Sequence, residues 1–266
     1  MSATLLMNNT LKFAFIQSDL VWENPKANLL CFERLLNTIS AEVNVIILPE
    51  MFTTGFSMNS KRLAESTDGP TINWMKTIAQ KKNSAIVGSI ISCEGSQYYN
   101  RLHWVFPDGT VSHYDKRHLF SMANENEYYN AGTKRLVIEY KGWKICPLIC
   151  YDLRFPVWSR NDCEYDCLIY IANWPSARIG AWSVLLKARA IENQCYVFGV
   201  NRIGVDGEGT NYNGGSVAID ARGSILTSIE NDASGIAFAE IDKASLSAFR
   251  EKFPVLLDRD HFDLSK

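Results

Sequence analysis

The chain contains no run of about 18 apolar residues, the length a helix needs to cross a bilayer, which excludes a membrane-spanning helix. It has no long lysine or arginine run either, and 27 basic against 29 acidic residues leave a formal charge of −2. Neither nucleic acid nor an anionic membrane surface is therefore an expected partner. Histidine is scarce: His103, His113, His118 and His261 are scattered without ligand spacing, so no metal site is expected. The stretch Met1 to Leu11 lacks a basic start and an apolar segment of signal-peptide length, and a cytoplasmic protein is expected. No linker, repeat or low-complexity tract interrupts the sequence, so residues 1–266 are expected to form one domain.

Seven cysteines is an odd number, which fits reduced thiols better than a disulfide framework. The pairs Cys146/Cys150 and Cys163/Cys167 have a spacing seen in metal sites. They lie in or beside apolar, strand-like segments, however, where alternate residues face opposite sides, so packing accounts for them better. At 47% hydrophobic and 21% charged, the composition is that of an ordinary globular protein with a full core.

The pattern along the chain is α/β. Leu11 to Gln17 reads as a first strand; Asn24 and Pro25 then supply a cap and a first-turn proline for a helix whose Leu29, Phe32, Leu36 and Ile39 share one face. Val43 to Leu48 is a nearly continuous β-branched run, as expected of a strand buried on both faces, and it stops at Pro49-Glu50. A helix around Ile72 to Lys82, a strand Ala85 to Ile91, and the alternating Leu102, Trp104 and Phe106 follow, with a turn at Pro107-Asp108-Gly109. Val111 to Asp115 returns and stops at Lys116, where a long polar loop runs through Asn130 to Gly132, a common setting for function. Leu136 to Tyr140 and Trp143 to Ile149 read as a hairpin ending at Cys150. Cys167 to Ala172, a helix around Trp182 to Asn193, and Cys195 to Val200 repeat strand-helix-strand. Hairpins near Ala218 to Ser228 and Gly235 to Ile241 are expected to finish the sheet.

Glu50, Lys116 and Cys150 share one position in this pattern, each being the first reactive side chain after an apolar segment. Strands running the same way bring such ends to one edge, where α/β proteins bind ligands. The three types are complementary: a carboxylate accepts a thiol proton, an ammonium stabilises charge on a carbonyl oxygen, and a thiol attacks carbonyl carbon. Singly, each has a plainer reading, as an exposed loop acid, a solvated basic step beside Arg117 and His118, and a packing cysteine.

The segments Leu48-Pro49-Glu50-Met51-Phe52, Tyr114-Asp115-Lys116-Arg117-His118-Leu119-Phe120 and Ile149-Cys150-Tyr151-Asp152-Leu153-Arg154-Phe155-Pro156 resemble, in order and spacing, the Glu, Lys and Cys motifs of the nitrilase superfamily of carbon-nitrogen hydrolases. Asn173-Trp174-Pro175, Ala188-Arg189-Ala190-Ile191-Glu192-Asn193 and Asn201-Arg202 extend the likeness over nearly the whole chain. Glu50 to Phe56 and Asp115 to Phe120 look most like the omega-amidase branch. The Asp152/Arg154 pair favours an amidase over a true nitrilase.

This resemblance implies a four-layer α-β-β-α sandwich, usually paired as a homodimer, in which Glu50, Lys116 and Cys150 are catalytic and no cofactor is used. It implies a second glutamate some seven residues before a glycine, here Glu125 before Gly132, with Glu127 competing. It also implies thioester chemistry with the oxyanion held by Lys116 and the backbone N–H of Tyr151, on a small amide such as 2-oxoglutaramate or 2-oxosuccinamate. Arg154 and Arg178 are candidates for the substrate carboxylate, although Arg154 is equally placed to pair with Asp152. Phe56 and Trp174 are candidates to line a small pocket, or else belong to the core. Other readings stay open: an aliphatic amidase, a carbamoylase or a nitrilase using the same three residues, a catalytically silent binding protein, or a sensor that cycles through oxidised Cys150.

Overall fold

In the computed structural model, which describes residues 9–264, the apolar runs form two six-stranded sheets; most of the stretch Met1 to Leu11 lies outside the described residues. The first sheet holds β1 (Thr10–Gln17), β2 (Val45–Ile47), β3 (Ala85–Glu94), β4 (Gln97–Val105) and β5 (Val111–Asp115) side by side. The second runs from β6 (Ile138–Tyr140) through β7 (Trp143–Ile149), β8 (Cys167–Ala172) and β9 (Tyr196–Asn201). A small separate hairpin, β10 (Ile203–Val205) and β11 (Asn211–Asn213), follows, and β12 (Val217–Ile219) and β13 (Ile225–Ser228) complete the second sheet.

The last strand, β14 (Gly235–Asp242), departs from the sequence expectation: it leaves the second sheet and pairs antiparallel with all of β1. The run Val43 to Leu48 also forms a shorter strand than its hydrophobicity suggests, because only Val45–Ile47 pair, with β1 on one side and β3 on the other. Val43 and Leu48 are nevertheless buried.

The sheets pack face to face, with Phe13 of β1 stacked on Phe198 of β9 at 4.2 Å between ring centroids. Each large apolar side chain so buried contributes roughly 1.5–3 kcal/mol of transfer free energy. On the outer face of the first sheet, the helices Pro25–Asn37 and Pro70–Lys82 pack Phe32, Leu36, Ile72 and Met75 against Ala14, Ile46 and Ile86. The first of these helices starts as its sequence dictates, with Asn24 accepting from the Ala27 amide at 3.1 Å and Pro25 in the first turn. On the far side the helix Ile179–Asn193 seats Trp182 and Leu186 on the second sheet. They come so close over Gly199 that a β-carbon there would lie 2.4 Å from Leu186. The result is the α-β-β-α sandwich. Among the described residues no helix is long and apolar enough to cross a membrane.

Candidate active site

Strand directions explain why distant motifs meet. β2 and β3 are parallel, and β4 is antiparallel to both β3 and β5, so β2 and β5 point the same way and release Glu50 and Lys116 at one edge of the first sheet. β7 delivers Cys150 from the second sheet, at the start of a tight 3-10 turn, Cys150–Arg154. Cys150 and Met51 both have left-handed backbones, with φ of 44° and 43°. Such a conformation costs a non-glycine residue about 1–2 kcal/mol and aims its side chain away from the path of the strand.

The Lys116 ammonium is the centre of the cluster. Its Nζ donates to Glu50 Oε1 at 2.9 Å and to both carboxylate oxygens of Glu125, at 3.0 and 2.9 Å. Asn100 Nδ2 braces the two acids, donating to Glu50 Oε1 at 2.7 Å and Glu125 Oε1 at 3.2 Å. The other Glu50 oxygen accepts the Asn173 backbone N–H at 2.7 Å, and the Asn173 side chain donates to the Glu50 carbonyl at 2.7 Å. All five side chains are buried or nearly so.

The two candidate second glutamates are placed differently. Asn124 takes a left-handed conformation (φ 57°), and the short helix Glu125–Tyr128 then turns Glu125 inward to Lys116 while Glu127 remains exposed. Asn100, which sits mid-way in an alternating strand, carries no sequence signal that distinguishes it from a core polar residue. Gly132 has a packing role: its amide donates to the Lys116 carbonyl at 2.9 Å, and a β-carbon would lie 2.1 Å from the Asp115 carbonyl oxygen.

Three charges in one buried cluster shift one another. Burial raises the Glu125 carboxyl above its ordinary value, with Lys116 opposing and Glu50 adding to the rise. Burial alone would lower the Lys116 ammonium, but Glu125, Glu50 and Cys150 together hold it above its usual value, so it stays charged. Burial also pushes the Cys150 thiol well up, reinforced by the Glu50 charge and only partly relieved by Lys116. The resting group is thus a protonated thiol. Its Sγ lies 3.8 Å from the Asn173 carbonyl oxygen.

A cavity of about 610 Å³ opens onto Cys150 and Lys116, and the substrate-side candidates Phe56, Tyr151, Arg154 and Trp174 line it. Phe56 presents its ring to the Lys116 ammonium at 4.9 Å. Trp174, nearly all buried, lies beneath the Arg154 guanidinium at 4.9 Å and donates its indole N–H to the Arg178 carbonyl at 2.9 Å. Arg154 is not paired with Asp152. The carboxylate of Asp152 is taken up by Tyr114, His118 and the Ile149 amide, and Arg154 points to the cavity instead. Arg178 lines the same cavity with its guanidinium 5.3 Å from the Phe120 ring. Cys146 and Cys167, members of the two spaced cysteine pairs, are buried in the strands β7 and β8.

Comparison with known proteins identifies the family. The model of the carbon-nitrogen hydrolase family matches residues 12–251. An omega-amidase, YafV of Escherichia coli (strain K12), is 47% identical over 254 residues, covering 96% of this chain and 98% of that protein. A 2-oxoglutaramate amidase of Bacillus subtilis (strain 168) is 35% identical, covering 91% of this chain and 95% of its own. Among solved structures, a CN-hydrolase superfamily protein of Xanthomonas campestris with an arsenic adduct in its active site superposes with a TM-score of 0.93 at 43% identity, covering 96% of this chain and 99% of that one. With the family model spanning most of its length and relatives this similar over nearly all of it, the chain belongs to the carbon-nitrogen hydrolase family.

Proposed function

We propose that the protein is an omega-amidase, hydrolysing the terminal amide of a small dicarboxylic monoamide, such as 2-oxoglutaramate or 2-oxosuccinamate, to the acid and ammonia. The observation that carries this reading is the buried Glu50–Lys116–Glu125 cluster opening beside Cys150 into a cavity whose rim holds two guanidinium groups without ion-pair partners among the described residues. The names of the E. coli and B. subtilis relatives support the substrate class.

In this mechanism Glu50 accepts the Cys150 proton as sulfur bonds to the amide carbon, and the carbonyl oxygen becomes an oxyanion held by Lys116 and the Tyr151 N–H. A thiol with a raised pKa requires that transfer to accompany attack, a role in keeping with a buried carboxylate whose charge raises the thiol. Collapse of the intermediate breaks the C–N bond as Glu50 returns the proton to the departing ammonia, leaving a thioester on Cys150. Water then adds to the thioester carbon, giving its proton to Glu50; the C–S bond breaks, the thiol regains a proton and the acid departs. Glu125 keeps Lys116 charged and fixed. No cofactor takes part.

Arg154 and Arg178, which line the cavity, receive the substrate carboxylate. Of the acids that line the cavity, Glu23 is engaged by Ser57 and Arg62, Asp206 accepts from the Thr210 and Glu208 amides and the Tyr212 hydroxyl, and the exposed Glu208 forms no ion pair with either arginine. A neutral amide lacks the group these arginines bind, which separates this reading from an aliphatic amidase. Ammonia release from 2-oxoglutaramate, compared with glutamine, asparagine, N-carbamoyl amino acids and simple nitriles, tests it. Highest kcat/KM on the oxo-acid amide is expected, and a preference for carbamoyl compounds or nitriles would overturn it.

The protein is further proposed to act as a cytoplasmic homodimer. Val184 and Ile191, seven residues apart on the outer helix, and Phe253 and Leu257 beyond it leave apolar side chains exposed that a second copy would cover. A sedimentation coefficient of a monomer at micromolar concentration would contradict the pairing.

A further inference from the structure

The buried carboxylate of Asp152 has no part in the chemistry above, yet it carries four hydrogen bonds. Oδ2 accepts from the Tyr114 hydroxyl at 2.7 Å and the Ile149 amide at 3.1 Å, while Oδ1 accepts from the His118 amide at 3.0 Å and lies 2.8 Å from His118 Nδ1. Tyr114 and His118 stand two residues before and two after Lys116, and Ile149 directly precedes Cys150. β5 belongs to the first sheet and β7 to the second, so one side chain ties the segment bearing the ammonium to the turn bearing the thiol across the interface of the two sheets.

Only an acceptor-only group satisfies this position. The Tyr114 oxygen already accepts from Trp158 Nε1 at 3.0 Å and from the Arg117 amide at 3.2 Å, which leaves it a single proton to donate toward Asp152. Two backbone amides and the His118 ring bring the remaining donors. The ring is held in turn, stacked on Phe155 at 3.8 Å with the planes 5° apart, and Phe155 closes the turn that Cys150 opens. Burial and the adjacent Asp152 raise the Tyr114 hydroxyl, so it remains a donor. Neither Asp152, Tyr114 nor His118 lines the cavity.

We propose that Asp152, through Tyr114 and His118, is a positioning residue that fixes the Lys116 ammonium relative to the Cys150 turn, so that the oxyanion forms within reach of both Lys116 and the Tyr151 N–H. This rests on the thioester reading given above. Loosening the tie lets the segment that carries Lys116 move relative to the turn that carries both Cys150 and the Tyr151 N–H, while Glu50, which follows β2, keeps its hydrogen bonds from Asn100 and Asn173. The effect therefore belongs in kcat and not in substrate binding.

The test is Tyr114→Phe, which removes one atom, with Asp152→Asn beside it. Turnover of 2-oxoglutaramate is measured together with the alkylation rate of Cys150 by iodoacetamide, on protein whose thermal unfolding remains cooperative and well above the assay temperature. Tyr114→Phe is expected to lower kcat about 10- to 100-fold, with KM and the alkylation rate each changed less than about twofold. Unchanged kcat, or a parallel fall in turnover and alkylation, overturns the assignment, and if Asp152→Asn does not fold, Tyr114→Phe alone decides. Absence of turnover in the unaltered protein refutes the amidase reading itself, which keeps the two failures distinct.

Discussion

Lys116 Nζ stands 2.9 Å from Glu50 Oε1, and both side chains are completely buried. A base and a cation locked together out of water are costly to assemble, and neither tolerates loss of the other. Lys116→Met leaves Glu50 and Glu125 facing each other without a counter-charge. Urea unfolding should show a loss of about 3–5 kcal/mol, and turnover should fall by more than about hundredfold. Glu50→Gln keeps the shape and should fold normally by circular dichroism while losing on the order of hundredfold or more in kcat.

The resting thiol is predicted to be protonated and slow. Because burial and Glu50 raise its pKa, the thiolate fraction climbs only above the ordinary thiol range, near pH 8.5. The rate of Cys150 alkylation should rise with pH without a plateau up to about pH 9. A plateau near or below neutrality would mean a preformed thiolate and would contradict the coupled proton transfer.

Arg154→Gln and Arg178→Gln are each expected to raise KM for 2-oxoglutaramate roughly 10- to 100-fold, the worth of a charge-assisted hydrogen bond to a carboxylate. Steady-state kinetics beside an uncharged short amide read the effect as selectivity. If the preference for the charged amide survives both substitutions, the carboxylate is held elsewhere.

Much of the site was legible because its chemistry coincides with strand ends. Strand-like runs such as Val111–Asp115 and Trp143–Ile149 marked where strands stop, and the first reactive residue beyond them was readable without knowing any pairing. Pairing itself was not legible. Nothing within Gly235–Asp242 says that it returns to β1, since that contact joins residues more than two hundred positions apart. The inward turn of Glu125 over Glu127 depends on one left-handed residue, Asn124. The separation of Arg154 from Asp152 depends on donors that arrive from Tyr114 and His118, a distant strand end. Spacing placed Asp152 and Arg154 as neighbours, and only tertiary contacts decide which partner each takes.

Gly132 offers a test of the scaffold. A methyl group there meets the Asp115 carbonyl, one residue before Lys116. Gly132→Ala should destabilise by about 1–3 kcal/mol as the backbone shifts to relieve the overlap, with a lowered melting temperature and reduced turnover. Full stability would mean that the 117–137 segment adapts freely, contrary to its hydrogen bonding with Lys116.

The most direct test is ammonia release from 2-oxoglutaramate by Cys150→Ala, which removes only sulfur from an otherwise intact cavity. The account predicts no turnover above the uncatalysed background, together with a covalent acyl adduct on Cys150 by rapid-quench mass spectrometry in the unaltered protein. Turnover by Cys150→Ala comparable to that of the unaltered protein would contradict it.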